Sequence, residues 1–213
     1  MNVSAHRPYQ RAQGTSESVS ARASGAGAQG ATAWTAASSP APNSTLDLER
    51  LLQLRYSCRA FERTRPLTPH YIELIMEALT CAPSACNLQP YHFAVVTGNT
   101  LSTVETLRNF YGAPALLIGC FDPNHPGYTS PQGQDFKLFD LGLALMCAAL
   151  RATELGLGSC FIGSLPVAEL KAALHLEYEP VIALALGYAR PDAAPSDQHF
   201  TRRRGPELYT VYD

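Results

Sequence analysis

Four short stretches of this 213-residue chain gather cations and small polar side chains where apolar segments begin or end. They are RYSCRAF (Arg55 to Phe61), APSACNLQP (Ala82 to Pro90), GSCFIGS (Gly158 to Ser164) and RRR (Arg202 to Arg204). The sequence has no GxSxG, HExxH or protein-kinase signature, the phosphate loop GxxxxGK[ST] does not occur, and no GxGxxG follows a strand-like apolar run. The six histidines are scattered, with no Ser or Cys nearby in a triad-like pattern, so each reads as a surface or satisfied core residue. Polar clusters without acid–base machinery suit a ligand that carries its own reactivity. Taken singly, each cluster also has a plainer reading. Arg55 and Arg59 fit helix C-terminal cations, APSACNLQP fits a turn closed by Asn and Ser, and RRR fits a solvated charge run. In an extended RRR segment Arg203 points away from Arg202 and Arg204.

The elements that must position these clusters follow from periodicity. STLDLERLLQLR has Ser44 three residues before Asp47 in a capping pattern, followed by Leu48, Leu51 and Leu52 at helical spacing, and predicts a helix ending near Arg55. LTPHYIELIMEALTC predicts a second helix, capped by Thr68, with Pro69 in its first turn and Ile72, Ile75, Met76 and Leu79 on one face. YHFAVVT and APALLIGCF read as buried strands separated by a short helix in TLSTVETLRNF. Leu138 to Leu150 is apolar on nearly all sides, which predicts a core helix running through the middle of the structure and ending at Gly156 or Gly158. SCFIG is a short strand, SLPVAELKAALHL a helix capped by Ser164, PVIALALGYA a third buried strand, and Glu207 to Val211 a final one. Strands apolar on both faces need helices on each side, so the fold class is α+β with three layers, α/β/α.

Composition narrows the function classes. With 16 basic and 18 acidic residues the formal net charge is −2, so no basic field draws nucleic acid or an anionic membrane. The longest uncharged apolar run that suits a helix, Leu141 to Leu150, is far shorter than the roughly 20 residues a membrane span needs. The six cysteines form no CxxC pair, and Cys81 and Cys86 lack a second ligand pair, so neither a disulfide framework nor a metal site is expected, and reduced structural thiols are. Residues 1–45 are rich in Ala, Ser, Gly and Thr and poor in large aliphatics, which predicts a disordered tail ahead of one domain at 46–213. The tail is Arg- and Ser-bearing and acid-poor, which is also the composition of an organellar transit peptide; otherwise a cytoplasmic location is expected.

Taken in order, RYSCRAF, APSACNLQPYHF, GAP (Gly112 to Pro114), DLGLA (Asp140 to Ala144), LGLGSCFIG and RRRGP resemble the motifs of the nitroreductase family of FMN-dependent oxidoreductases, over about residues 46–213. The resemblance implies a nitroreductase-like flavoprotein fold, a central mixed sheet flanked by helices, and a homodimer with FMN at the subunit interface. It implies that Arg55, Arg202 and Arg204 hold the flavin phosphate, with a hydroxyl from Ser57 and with Tyr56 beside them, and that Arg59 lies near the pyrimidine edge. Pro83, Ser84, Ala85, Asn87 and Gln89 would contact the ring and ribityl chain of the cofactor held mainly by the partner subunit, and Ile162, Gly163 and Ser164 would sit by N5. A phosphate dianion calls for several arginines, and a cation at the pyrimidine edge stabilises negative charge on reduced flavin. NADH or NADPH would be the donor and a nitroaromatic, quinone or similar small molecule the acceptor, with no essential acid or base. Two alternatives share the fold: a specialised reaction such as dehydrogenation or dehalogenation, and a non-catalytic flavin-binding or redox-sensing module. Asp122 to Asp135, a Pro/Gly-rich loop, stands where many members carry a longer helical lid, and residues 1–45 have no counterpart.

Overall fold

The computed structural model describes residues 47–203 and 205–212. The predicted tail and Ser44 lie outside them. Helix α1, Leu48–Leu54, is capped by Asp47, whose side chain accepts from the Arg50 N–H at 2.8 Å. Helix α2, Pro69–Thr80, starts as predicted: Thr68 caps it, accepting from the Tyr71 N–H at 3.3 Å, and Pro69 takes a first-turn position where no N–H is needed. Strand β1 (Tyr91–Thr97), helix α3 (Gly98–Leu107), strand β2 (Ala115–Phe121), helix α4 (Lys137–Glu154), strand β3 (Gly158–Ile162), helix α5 (Val167–Leu174) and strand β4 (Glu179–Gly187) follow in order.

The sheet order is β1-β2-β4-β3, and every ladder is antiparallel. Parallel pairing among the described residues is confined to one isolated bridge, Ser57 with Ser159, so the mixed sheet is antiparallel in its four strands. Alternation along β2 divides the core. Leu116 and Ile118 face a cluster with Val104, Phe110 and Leu170, on the side of α3 and α5. Ala115 and Leu117 face Ile75, Leu141, Leu145 and Ala148, on the side of α2 and α4. These are the three predicted layers. At Gly119 an added Cβ would come within 2.8 Å of Leu141 Cδ1, so a glycine there lets α4 lie close on the sheet.

Three expectations are corrected. Helix α5 begins at Val167 after Pro166, not at a Ser164 cap; Pro166 adopts φ −77° and ψ 79° and makes no side-chain cap. Helix α4 does not run wholly inside: Asp140, Leu141, Ala144, Leu145, Ala148, Ala149 and Ala152 are buried, but Leu138 and Phe139 are each 61% exposed. One chain covers only one face of this apolar helix. Finally, Glu207 to Val211 does not become a strand; a single 3₁₀ turn at Gly205–Glu207 is followed by exposed Leu208, Tyr209 and Val211. Among the described residues no sheet edge pairs with that segment, and the edge of β3 is met by the residues around Ser57.

Candidate functional site

The first cluster is positioned by the end of α1 and by β3. At Arg55 the backbone leaves the helix (φ −67°, ψ 117°) and runs extended beside β3, where the Cys58 N–H donates to the Ser159 carbonyl at 2.9 Å. Gly158 makes this approach possible, because a Cβ there would lie 2.9 Å from Cys58 Cβ. The fully buried Cys58 then anchors Tyr56, Ser57 and Arg59 on either side of it. Burial pushes the Cys58 and Tyr56 hydrogens to be held more tightly than usual, so neither is an anion at neutral pH.

Arg55, Tyr56, Ser57 and Arg59 line a cavity of about 150 Å³ together with Arg202 and the segment Pro195, Ser196, Gln198 and His199. This brings five predicted residues around one space, from opposite ends of the described chain. Among the described residues, Arg55, Arg59 and Arg202 form no ion pair, although eight pairs occur elsewhere. The Arg55 guanidinium is half-buried, and burial, followed by the nearby Arg202, lowers its proton affinity. Arg55 caps α1 through its main chain, the N–H donating to the Leu51 carbonyl at 3.0 Å, whereas its guanidinium makes no hydrogen bond to the closing carbonyls among the described residues. One half-buried guanidinium beside two exposed ones, with no carboxylate among them, is an arrangement that favours an anion. Arg204 lies outside the described residues.

The second cluster stands apart. Ala85–Asn87 is a 3₁₀ turn, and Cys86, Asn87 and Gln89 hold positive φ angles of 51°, 57° and 48°. Asn tolerates this region, but Cys and Gln resist it, at a cost of order 1–3 kcal/mol for each strained residue. Local bonds hold the turn: the Asn87 N–H donates to the Ser84 carbonyl at 2.9 Å, and the Gln89 N–H to Ser84 Oγ at 3.1 Å. The Gln89 side chain donates to the Asn87 carbonyl at 3.1 Å. Ser84 keeps a hydroxyl proton to donate, Gln89 commits one of its two amide protons inside the turn, and the exposed Asn87 amide makes no protein hydrogen bond among the described residues.

Asp140, at the start of α4, secures this turn. Its Oδ1 accepts from the Ala85 N–H at 3.0 Å, while Oδ2 is buried with no partner among the described residues, and the whole side chain is excluded from solvent. Sequence reading placed Asp140 inside a motif but assigned it no task; a lone carboxylate in an apolar helix was the available signal. Asn87 and Gln89 border a broad groove of about 700 Å³ floored by Met76, Leu79, Tyr91 and Phe93, with His92, Asp122 and His125 at its rim. Asp122 accepts from the Asn124 N–H and pairs with His125 Nδ1 at 2.8 Å, contacts that hold its carboxyl below the usual range. Ile162 ends β3, Gly163 and Ser164 follow it, and none of the three lines either space; Ile162 is buried, and Gly163 has nothing within 4 Å of an added Cβ.

His199 was also missed. It sits in a 3₁₀ turn, Asp197–His199, with its Nδ1 3.5 Å from Arg202 Nη2 and its ring edge-on to Tyr56 at 6.5 Å. An isolated histidine in a loop has no periodic or motif signal.

The nitroreductase family model matches residues 52–108 and 101–188. A provisionally named NADH dehydrogenase/NAD(P)H nitroreductase from Archaeoglobus fulgidus is 31% identical over 135 residues, which span 60% of this chain and 75% of that protein. Among solved structures, a nitroreductase family protein from Clostridium difficile superposes with a TM-score of 0.69 at 24% identity, over 79% of this chain and 99% of the other. An FMN-dependent nitroreductase from Clostridium difficile R20291 does so with a TM-score of 0.57 at 23% identity, over 70% and 91%. At these identities the solved structures speak for the fold alone.

Proposed function

Because this chain belongs to the nitroreductase family and is an oxidoreductase, we propose that it is an FMN-dependent enzyme that moves a hydride from NADH or NADPH to a nitroaromatic, quinone or related acceptor. The observation that carries the reading is the cavity where Arg55, Arg59 and Arg202 converge without a counter-ion among the described residues. An anionic group of about phosphate size suits it, and an FMN-dependent nitroreductase is among the proteins of the same fold.

The residues present fit the cofactor. Arg55 and Arg202, with Arg204 and the Ser57 hydroxyl, would hold its phosphate, with Tyr56 as a wall, and Arg59 would face the pyrimidine edge. Bound flavin supplies the hydride chemistry at N5, and the chain supplies position and charge. Arg59 offers the cation that favours the reduced state. Ile162, Gly163 and Ser164 offer main-chain donors at an uncrowded strand end, since no side chain stands over Gly163. Ser84 and Asn87 offer a donor proton and an unused amide, and Pro83, Ala85 and Gln89 shape the turn that presents them.

The turn and the cavity belong to different elements, which suits a homodimer in which one chain's turn reaches the other's flavin. Leu48 and Leu52 of α1 are 63% and 52% exposed, and α1 packs on α4, whose Leu138 and Phe139 are also uncovered. Such apolar surface suits a second copy of the chain. No helix among the described residues is long and apolar enough to cross a membrane, and all six cysteines are free thiols, which suits a reducing compartment such as the cytoplasm.

The test is a flavin spectrum and a turnover assay on the purified protein. A yellow preparation whose NADH or NADPH oxidation is stimulated by a nitroaromatic or quinone is expected. A yellow protein with no turnover would reduce it to a flavin-binding module, and a colourless one that takes up no FMN would end the reading.

A further inference from the structure

The arginines of the cavity carry permanent charge, but one of its walls is an imidazole, the side chain whose charge ordinarily changes nearest neutral pH. His199 lines the same space as Arg55, Arg59 and Arg202, and its ring nitrogen lies 3.5 Å from the Arg202 guanidinium. The guanidinium has only protons to offer, so Nδ1 accepts there and the ring is neutral while no anion is present. We propose that His199 is a fourth, proton-switched ligand of this anion site: when a phosphate monoester dianion enters, the ring takes a proton from solvent and holds the phosphate as a cation. The proposal rests on the flavin reading above and names what regulates retention of the cofactor.

The groups around the ring set the sign. From the segment after α1, Arg55 and the Tyr56 ring face it; Arg59 lines the same cavity; Arg202 comes from its own segment. Asp197, two residues earlier, is exposed and forms no ion pair with it among the described residues. Burial first and then Arg202 lower the proton affinity of His199; a hydrogen bond to the Gln53 main chain raises it, and Arg55, a smaller influence, lowers it again. A dianion placed among these cations reverses the balance, because its charge outweighs either guanidinium at similar distance. By linkage, binding then takes up a proton, and affinity weakens as pH rises through the value of the complex.

FMN's own phosphate complicates the acid side, since a phosphomonoester loses its second proton near about pH 6. At pH 7.5 it is already mostly dianionic, so uptake seen with FMN but not with riboflavin comes from the protein. The experiment is calorimetric titration of the full chain, freed of flavin, with FMN and with riboflavin, in buffers of different ionisation enthalpy. Wild type should take up about half a proton per FMN at pH 7.5 and none with riboflavin. His199→Gln, which keeps an acceptor and a donor but cannot charge, should abolish the uptake. It should bind FMN about tenfold more weakly at pH 6 and within twofold of wild type at pH 8.5. A deficit equal at both pH values would mean a merely structural role and overturn the proposal, as would no deficit at all. Should the variant fail to fold, the wild-type difference between FMN and riboflavin decides by itself, and no difference in uptake overturns the proposal. If wild type binds no FMN at any pH, the flavin reading itself falls; if it binds FMN without uptake, only the role of His199 does.

Discussion

The arginine cavity and the Ser84–Gln89 turn do opposite things with backbone and charge. The cavity joins segments far apart in sequence, relaxed in backbone but held together against electrostatic repulsion. The turn spans a few residues, is strained at Cys86 and Gln89, and depends on one buried carboxylate from another helix. The first stores repulsion that an anion relieves. The second stores conformational strain that packing must offset. The two regions should therefore fail differently: one in affinity and salt dependence, the other in stability and geometry.

The largest effect is expected where the turn is anchored. Asp140→Ala removes the acceptor of the part-buried Ala85 N–H and leaves a void, and should lower unfolding free energy by about 2–4 kcal/mol in urea melts. Asp140→Asn, which keeps an acceptor for the Ala85 N–H, should cost less than half of that. Equal losses would mean that the charge, not the hydrogen bond, holds the turn. Next, Arg55→Gln should weaken FMN binding by about 1.5–3 kcal/mol, read by quenching of flavin fluorescence. It should leave riboflavin binding and urea stability nearly unchanged, since the cation it removes is opposed by Arg202 rather than paired. A fall in stability as large as that of Asp140→Ala would erase the distinction between the two regions.

A third change connects them. Gly158→Ala brings a Cβ within 2.9 Å of Cys58 Cβ and should cost about 1–3 kcal/mol while displacing Ser57 and loosening FMN. The smallest effect concerns pH. His199 is held neutral in the apo protein, so the unfolded chain binds the extra proton, and His199 destabilises the fold as pH falls through the ordinary histidine range. Melting temperatures of apo wild type should therefore drop slightly between pH 7.5 and 5.5, and less so in His199→Gln.

Much of the frame was legible because its signals are local and periodic. Thr68 and Pro69 announce α2, and the unbroken apolar runs at β2 and β4 announce strands covered on both faces. What failed was whatever depends on a neighbour the local sequence does not contain. Leu138 and Phe139 read as interior because apolarity alone does not say which chain covers them. Glu207–Val211 read as a strand, but a strand needs an edge to pair with. At the candidate site, Arg55, Tyr56, Ser57, Arg59 and Arg202 were singled out by residue type and motif order, and the structure brings them around one cavity. Gln89 was not seen to turn its amide back on its own loop, because positive φ at a non-glycine carries no sequence mark. Asp140 and His199 escaped for a related reason: each acts through one long-range contact.

The central claim is that the cavity at Arg55 and Arg202 exists for a phosphate dianion. Titrating wild-type protein with FMN and with riboflavin at low and high salt tests it most directly. FMN should bind at least about a hundredfold more tightly at low salt, with the gap narrowing as salt is added. Equal affinities for the two flavins, or a gap indifferent to salt, would contradict it.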